Sequence, residues 1–219
     1  SGFLYRSNKL MYDRQTDTLW HQLWGTPAFG PLVGSGITLE RLPVTLTIWD
    51  TWYAEHPDTK VMAFDTGFTR NYGVGAAYAE YFASPDTMFP VWQRSQLLPT
   101  KTWVFTQLID NQPKAYPLSV LKDELVINDT RAGQNLVVIH EDGGHGAKAF
   151  ERGDHTFTPA DDYSTTILVD EDGNEWQVTD TALISQSGEE LSRMPGHMAY
   201  WFGWFSFYPQ TELYGVGGE

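Results

Sequence analysis

Between Tyr200 and Tyr208 seven of nine residues are aromatic, with only Gly203 and Ser206 interrupting them. So much ring surface has to be buried, because each fully buried large side chain contributes about 1.5–3 kcal/mol. The stretch has an earlier echo. Shifted by 152 positions, Gly36, Leu39, Arg41, Pro43, Trp49, Trp52, Pro57 and Thr59 fall on Gly188, Leu191, Arg193, Pro195, Trp201, Trp204, Pro209 and Thr211. Eight identities in one ungapped window, two of them tryptophans, read as an internal duplication. Segments 36–61 and 188–213 are therefore expected to share one supersecondary unit: a strand or loop, a short helix and a following strand.

Local spacing fills in that unit. Thr47-Ile48-Trp49-Asp50 has the separation of a helix N-cap and an acid three residues on. Trp49, Trp52, Tyr53 and His56 follow at helical spacing, and Pro57-Asp58 stops the run. A strand is expected at 60–64, with Trp49 and Trp201 buried and holding their helices against β-structure. Elsewhere the pattern is one of hairpins. Met11-Tyr12-Asp13 and Leu19-Trp20 flank a turn at 14–17, and 166–169 and 176–178 flank an Asp-Gly turn at 170–174. Further short strands are expected at 103–109, 125–128, 136–140 and 147–151. Residues 65–100 are rich in Gly, Pro and Tyr and read as a long ordered loop. Helical periodicity never exceeds about nine residues, so the fold class is mainly β, a β-rich α+β protein with one short Trp-rich helix per unit.

Composition narrows the partners. The formal charge is −14, from 28 acidic and 14 basic residues, so nucleic acid and anionic membrane surfaces are repelled. No apolar run of about 18 residues exists to span a membrane. Cysteine is absent, which excludes disulfides, thiol nucleophiles and cysteine-ligated metals within this chain.

Several stretches together resemble domain-of-unknown-function family 3179, which occurs in bacteria and archaea. They are Ser-Gly-Phe-Leu-Tyr-Arg-Ser-Asn at 1–8, Met-Tyr-Asp-Arg-Gln-Thr at 11–16 and Leu-Trp-His-Gln-Leu at 19–23. Trp-x-x-Trp from 49, His-Pro-Asp-Thr-Lys-Val at 56–61 and Asp-Thr-Gly-Phe-Thr-Arg-Asn-Tyr-Gly at 65–73 follow. Lys-Ala-Tyr-Pro-Leu at 114–118, Val-Ile-Asn-Asp-Thr at 126–130 and the aromatic stretch complete the set. The resemblance implies an extracytoplasmic setting. It also implies a preceding unit with a His-Glu stretch and a Cys-x-x-Cys, which this chain does not contain. On that reading 1–64 is the second half of repeat one, 65–102 is the irregular loop, and 103–219 is a complete repeat two, all in one compact domain.

Four constellations bear on chemistry. Asp65-Thr66-Gly67 matches the aspartic-protease triplet, but that reaction needs two carboxylates sharing a proton. A single copy reads instead as a turn in which Asp65 caps local amides and Gly67 takes a positive φ. His140 and His145, with His155, Glu141, Asp142 and Asp154 nearby, leave a divalent metal site open beside the alternative of solvated turn histidines. Asp170-x-Asp172-x-Asn174 imitates the start of a calcium loop, yet Trp176 follows and no glutamate stands at position twelve, so a hairpin turn is expected. The loop bearing Asp65, Arg70, Tyr72 and Tyr78, with Tyr81, offers a cation, a carboxylate and phenols to a small ligand or glycan. The expected reading is a surface loop that tyrosines pin to the core, with Arg70 paired to a carboxylate such as Asp65. The tryptophan pairs are expected in the core rather than as sugar-stacking platforms.

No phosphate-binding glycine loop, nucleotide fingerprint or Ser-His-Asp pattern is present. The expectation is an extracytoplasmic binding or scaffolding module for an unknown small molecule or protein, with no cofactor of its own. The alternative is a metal-handling or redox enzyme whose site a Cys/His segment outside this chain completes.

Overall fold

The computed structural model describes residues 2–73, 75–142, 144 and 146–215. Among them sixteen strands in three sheets dominate four short helices, so the chain is mainly β. The first sheet is a meander in chain order: β1 (Leu4–Tyr5), β2 (Asn8–Asp13), β3 (Thr18–His21) and β4 (Pro27–Phe29). Its tight turns explain the register. Arg6 and Ser7 both take positive φ, 46° and 66°, in the two-residue loop whose twist suits a hairpin. The Asp13 carboxylate closes the next turn, accepting from the Gln15 N–H at 2.8 Å and the Thr16 hydroxyl at 2.6 Å. Two helices follow in the irregular middle of the chain, α1 (Trp49–Glu55) and α2 (Ala79–Ala83).

The hairpin of β5 (Trp103–Ile109) and β6 (Gln112–Pro117) turns on Asp110 and Asn111, again both at positive φ. After α3 (Leu118–Glu124) come β7 (Val126–Arg131), β8 (Gln134–His140) and β9 (Ala147–Glu151). A second meander then runs through β10 (Thr158–Asp161), β11 (Ser164–Val169), β12 (Glu175–Val178) and β13 (Ala182–Ser185). β14 (Glu190–Met194) joins that meander to β9, giving an eight-stranded sheet in the order β10-β11-β12-β13-β14-β9-β8-β7. β15 (His197–Tyr200), α4 (Trp201–Phe207) and β16 (Glu212–Leu213) end the described chain. They complete a third sheet, β15-β5-β6-β16, in which β16 runs parallel to β6.

Strand alternation distributes the core. On β8, Leu136 and Val138 face a cluster with Phe105, Tyr116, Leu121 and Ile127, while Val137 and Ile139 face Phe150, Phe157, Leu168 and Trp176. On β5 and β6 the other face, Val104 and Ala115, packs against Trp201, Trp204, Phe207 and Tyr208. Leu23, from the turn before β4, is inserted into this last cluster and joins the two ends of the chain.

The matched helices agree locally and differ in their surroundings. Each has seven residues, with N-caps at φ, ψ of −81°, 151° (Ile48) and −74°, 140° (Tyr200). The Trp52 and Trp204 indole N–H groups each donate to a threonine hydroxyl seven residues on, Thr59 and Thr211, at 2.9 Å. Three expectations fail at α1. Thr47 is not the cap, since Ile48 occupies that place without a side-chain bond. Residues 60–64 form no strand, although β16 follows α4. Trp49 is 48% exposed, whereas Trp201 is 1% exposed. The reason is tertiary: α4 lies on Val104, Ala115 and Leu213, and α1 contributes to none of the core clusters among the described residues. The short helices α2 and α3 carry no sequence periodicity long enough to announce them, and Leu125, expected in a strand, instead caps α3 at φ 60°.

Candidate functional site

A cleft of about 850 Å³ opens between the first sheet, the strap of residues 39–44, and the wall formed by β5, β15 and α4. The strap is held near β15 by the Val44 N–H, which donates to the Gly196 carbonyl at 3.3 Å. Glycine is required at 196 because a Cβ there would sit 2.3 Å from the Phe105 ring. Aromatic faces line much of the interior: Trp20 and Trp204 from opposite walls, and Trp103 packed against Tyr200 with centroids 4.3 Å apart.

Three polar groups converge on this apolar surface. Thr106, wholly buried on β5, donates its hydroxyl to the His197 backbone carbonyl at 2.9 Å, and the His197 Nε2 lies 3.4 Å from the Thr106 Oγ1. Burial, with the nearby Arg41 charge adding to it, pushes the His197 imidazole down to about 4, so it is neutral near pH 7. Arg41 on the strap donates one Nη2 bond to the Leu23 carbonyl at 2.8 Å and another to the Tyr208 hydroxyl at 3.4 Å. Tyr208 in turn donates to the Leu23 carbonyl at 2.7 Å, which fixes the guanidinium to the framework. Among the described residues no carboxylate lies within ion-pair distance of Arg41.

Two other clusters pair their charges internally. Arg193, at the position matched to Arg41, meets Asp180 at 2.6 Å and donates to the Thr45 hydroxyl at 2.8 Å and the Val44 carbonyl at 3.1 Å. Lys148 lies 3.8 Å from Glu141 and 3.6 Å from Asp180 in the same buried group. Lys114 on β6 lies 2.8 Å from Asp129 and 2.6 Å from Glu212; Arg131 also pairs with Glu212, and the Tyr116 hydroxyl donates to Asp129 at 2.7 Å. That network welds β6, β7 and β16 and leaves no spare charge for a ligand.

The residues singled out from the sequence are not assembled into one place. Asp65 accepts from the Gly67 N–H at 3.4 Å, and Gly67 has φ 74°, the local turn expected for Asp-Thr-Gly. Arg70 is exposed and pairs with neither Asp65 nor another carboxylate among the described residues. The Tyr72 hydroxyl shares a 2.9 Å bond with Thr66, and Tyr78 borders a separate shallow depression beside α2. His140 is buried at the end of β8, its carbonyl accepting from the Thr165 hydroxyl at 2.6 Å. His145 lies outside the described residues. Asp142 is taken up by Ser164 and Thr165, and no group of three or more His, Asp or Glu side chains among the described residues is placed to hold a metal ion. Asp170 is likewise occupied, accepting from the backbone N–H groups of Asp172 and Asn174 and from the Trp176 indole at 2.9 Å. Sequence reasoning missed the cleft residues Thr106 and His197. Arg41 did carry a signal, its match to Arg193, but the match alone does not say that one arginine has an acid and the other has none.

The molecule is thus a mainly β protein with an aromatic-lined cleft built from both ends of its chain. It belongs to the family described as "Protein of unknown function (DUF3179)", which it matches over residues 1–211. No curated protein and no solved structure matched the chain.

Proposed function

We propose that this chain is a binding module and that its ligand occupies the cleft between the first sheet and the wall of β5, β15 and α4. One observation carries the reading: neutral His197, with Thr106, and Arg41 converge on a concave aromatic surface of about 850 Å³, the size and polarity of a small-molecule site. The loop of Asp65, Arg70, Tyr72 and Tyr78 is set aside because its side chains are not gathered. The family resemblance supports an extracytoplasmic setting, and the paired meanders and helices support two copies of one unit with the site between them. The metal-handling alternative has no cluster of ligands to favour it among the described residues.

A neutral planar probe tests the cleft. 2-Naphthamide should quench the emission of the lining tryptophans in the native protein. Gly203 borders the cleft and a Cβ there would meet nothing within 4 Å, so Gly203→Leu narrows the space without a clash at its Cβ. That variant should weaken naphthamide by about tenfold or more, equivalent to about 1.4 kcal/mol. Unchanged affinity in Gly203→Leu would place the probe elsewhere and refute the reading.

A further inference from the structure

We infer that the ligand is a small carboxylate with a flat apolar body, its carboxylate anchored on Arg41 and its body lying against the aromatic walls. This rests on the cleft being the binding site and adds the chemical class of its occupant. The comparison of Arg41 with Arg193 carries it. The two arginines stand at matched positions, and each donates to a backbone carbonyl in the turn entering the last strand of its meander, Leu23 before β4 and Asp180 before β13. Arg193 also receives the Asp180 carboxylate at 2.6 Å. In the first meander the corresponding turn, Leu23-Trp24-Gly25-Thr26, contains no acid. In a chain of net charge −14, one matched arginine has its counter-charge built in and the other is left to face a cleft.

The remaining geometry specifies the anion. The Nη2 of Arg41 is committed to Leu23 and Tyr208, both uncharged, so the guanidinium is held in place but not neutralised. Its Nε and Nη1 bond to none of the described residues, so Nη1 is left to donate a charge-assisted bond to a carboxylate oxygen beside the guanidinium. Among the described residues Arg41 is the sole Lys or Arg lining the cleft, and His197 and His21 are both held towards their neutral forms, chiefly by burial. One uncompensated positive charge suits a monoanion better than a phosphate dianion. Glu40 is the only carboxylate on the rim among the described residues; it is exposed and forms no ion pair with Arg41.

Three probes of one shape separate the outcomes: 2-naphthoate, 2-naphthamide and 2-naphthylmethylamine, titrated calorimetrically against the native protein. Naphthoate should bind about tenfold or more tighter than naphthamide, and the advantage should shrink with added salt. Arg41→Met, which keeps an unbranched stem but no charge, should remove the preference, whereas Arg41→Lys should retain part of it. If Arg41→Met fails to fold, the acid-to-amide ratio in the native protein still decides. Equal binding of acid and amide would overturn the carboxylate inference and leave the cleft reading standing. Tighter binding of the amine would assign the site to Glu40 and a cation, and would also overturn it. Failure of all three probes to bind would defeat the cleft reading itself.

Discussion

Trp49 and Trp201 each open a seven-residue helix with the same cap geometry, yet Trp49 is 48% exposed and Trp201 is 1% exposed. Their shared sequence context therefore encodes the helix and its turn, and contacts from β5, β6 and β16 decide whether the indole is buried. Trp201→Ala should cost about 3–5 kcal/mol, as large-to-small changes in a core do. Trp49→Ala should cost under about 1 kcal/mol, the range for exposed positions. Urea unfolding midpoints compare the two directly, and equal losses would contradict the packing described for α4.

The Arg193–Asp180 pair yields a second expectation. Burial alone would raise the Asp180 carboxyl, but the Thr45 hydroxyl together with the Arg193 and Lys148 charges holds it below the usual range. Asp180→Ala strands a buried guanidinium and should cost about 3 kcal/mol or more. Arg41→Met, which breaks only hydrogen bonds to uncharged oxygens, should cost about 1 kcal/mol. Chemical denaturation at neutral pH measures both, and a milder effect at Asp180 than at Arg41 would reverse the assignment of charges.

Much of this architecture was legible from residue patterns. The strands at 103–109, 136–140 and 147–151 and both expected hairpins stand where alternation and turn residues put them. Legibility failed where a local signal and its tertiary setting part company. Trp49 carries the same signal as Trp201, and nothing within 47–59 records the absence of a sheet to receive it. The Arg6-Ser7 turn uses residues that rarely favour positive φ, so its geometry is imposed by the pairing on either side. Thr106 and His197 are ordinary strand residues in sequence. They become a pair only because β5 and β15, separated by most of the second half of the chain, lie side by side in register.

Two glycines should respond oppositely to alanine. At Gly146 a Cβ would lie 2.0 Å from the Leu46 carbonyl oxygen and 2.6 Å from the Glu141 carboxylate. Gly146→Ala must displace backbone and should cost about 2 kcal/mol or more. At Gly203, inside α4, the added methyl meets nothing, and Gly203→Ala should stabilise by about 0.5–1 kcal/mol through helix propensity. Thermal midpoints moving in the same direction would count against the backbone positions of these two glycines.

Asp170 supplies a pH signature. Burial would raise its carboxyl, but the Trp176 indole, the Asn174 backbone and side-chain N–H groups, and the Asp172 N–H outweigh this and hold it at about 2. A carboxyl lowered on folding stabilises the fold above the unfolded value of about 3.9, and that contribution disappears as pH falls towards 2. Asp170→Asn presents a donor to this ring of donors and should cost about 2 kcal/mol at pH 6. The gap between native protein and variant should narrow steadily between pH 5 and pH 2.5 in urea titrations. A gap that stays constant would show that Asp170 is not the ionised acceptor.

The strap roofing the cleft is tied to the far end of the chain: Arg193 reaches Val44 and Thr45, and Arg41 reaches Tyr208. These contacts span 148, 149 and 167 positions of a 219-residue chain, and closing so long a segment is slow compared with forming a hairpin. The two meanders can assemble early from neighbouring residues, but the cleft exists only once their ends meet. Neither half of the chain, expressed alone, would inherit it. A ligand bound there would act as a latch on the last event of folding, slowing the release of the strap rather than hastening the formation of any strand.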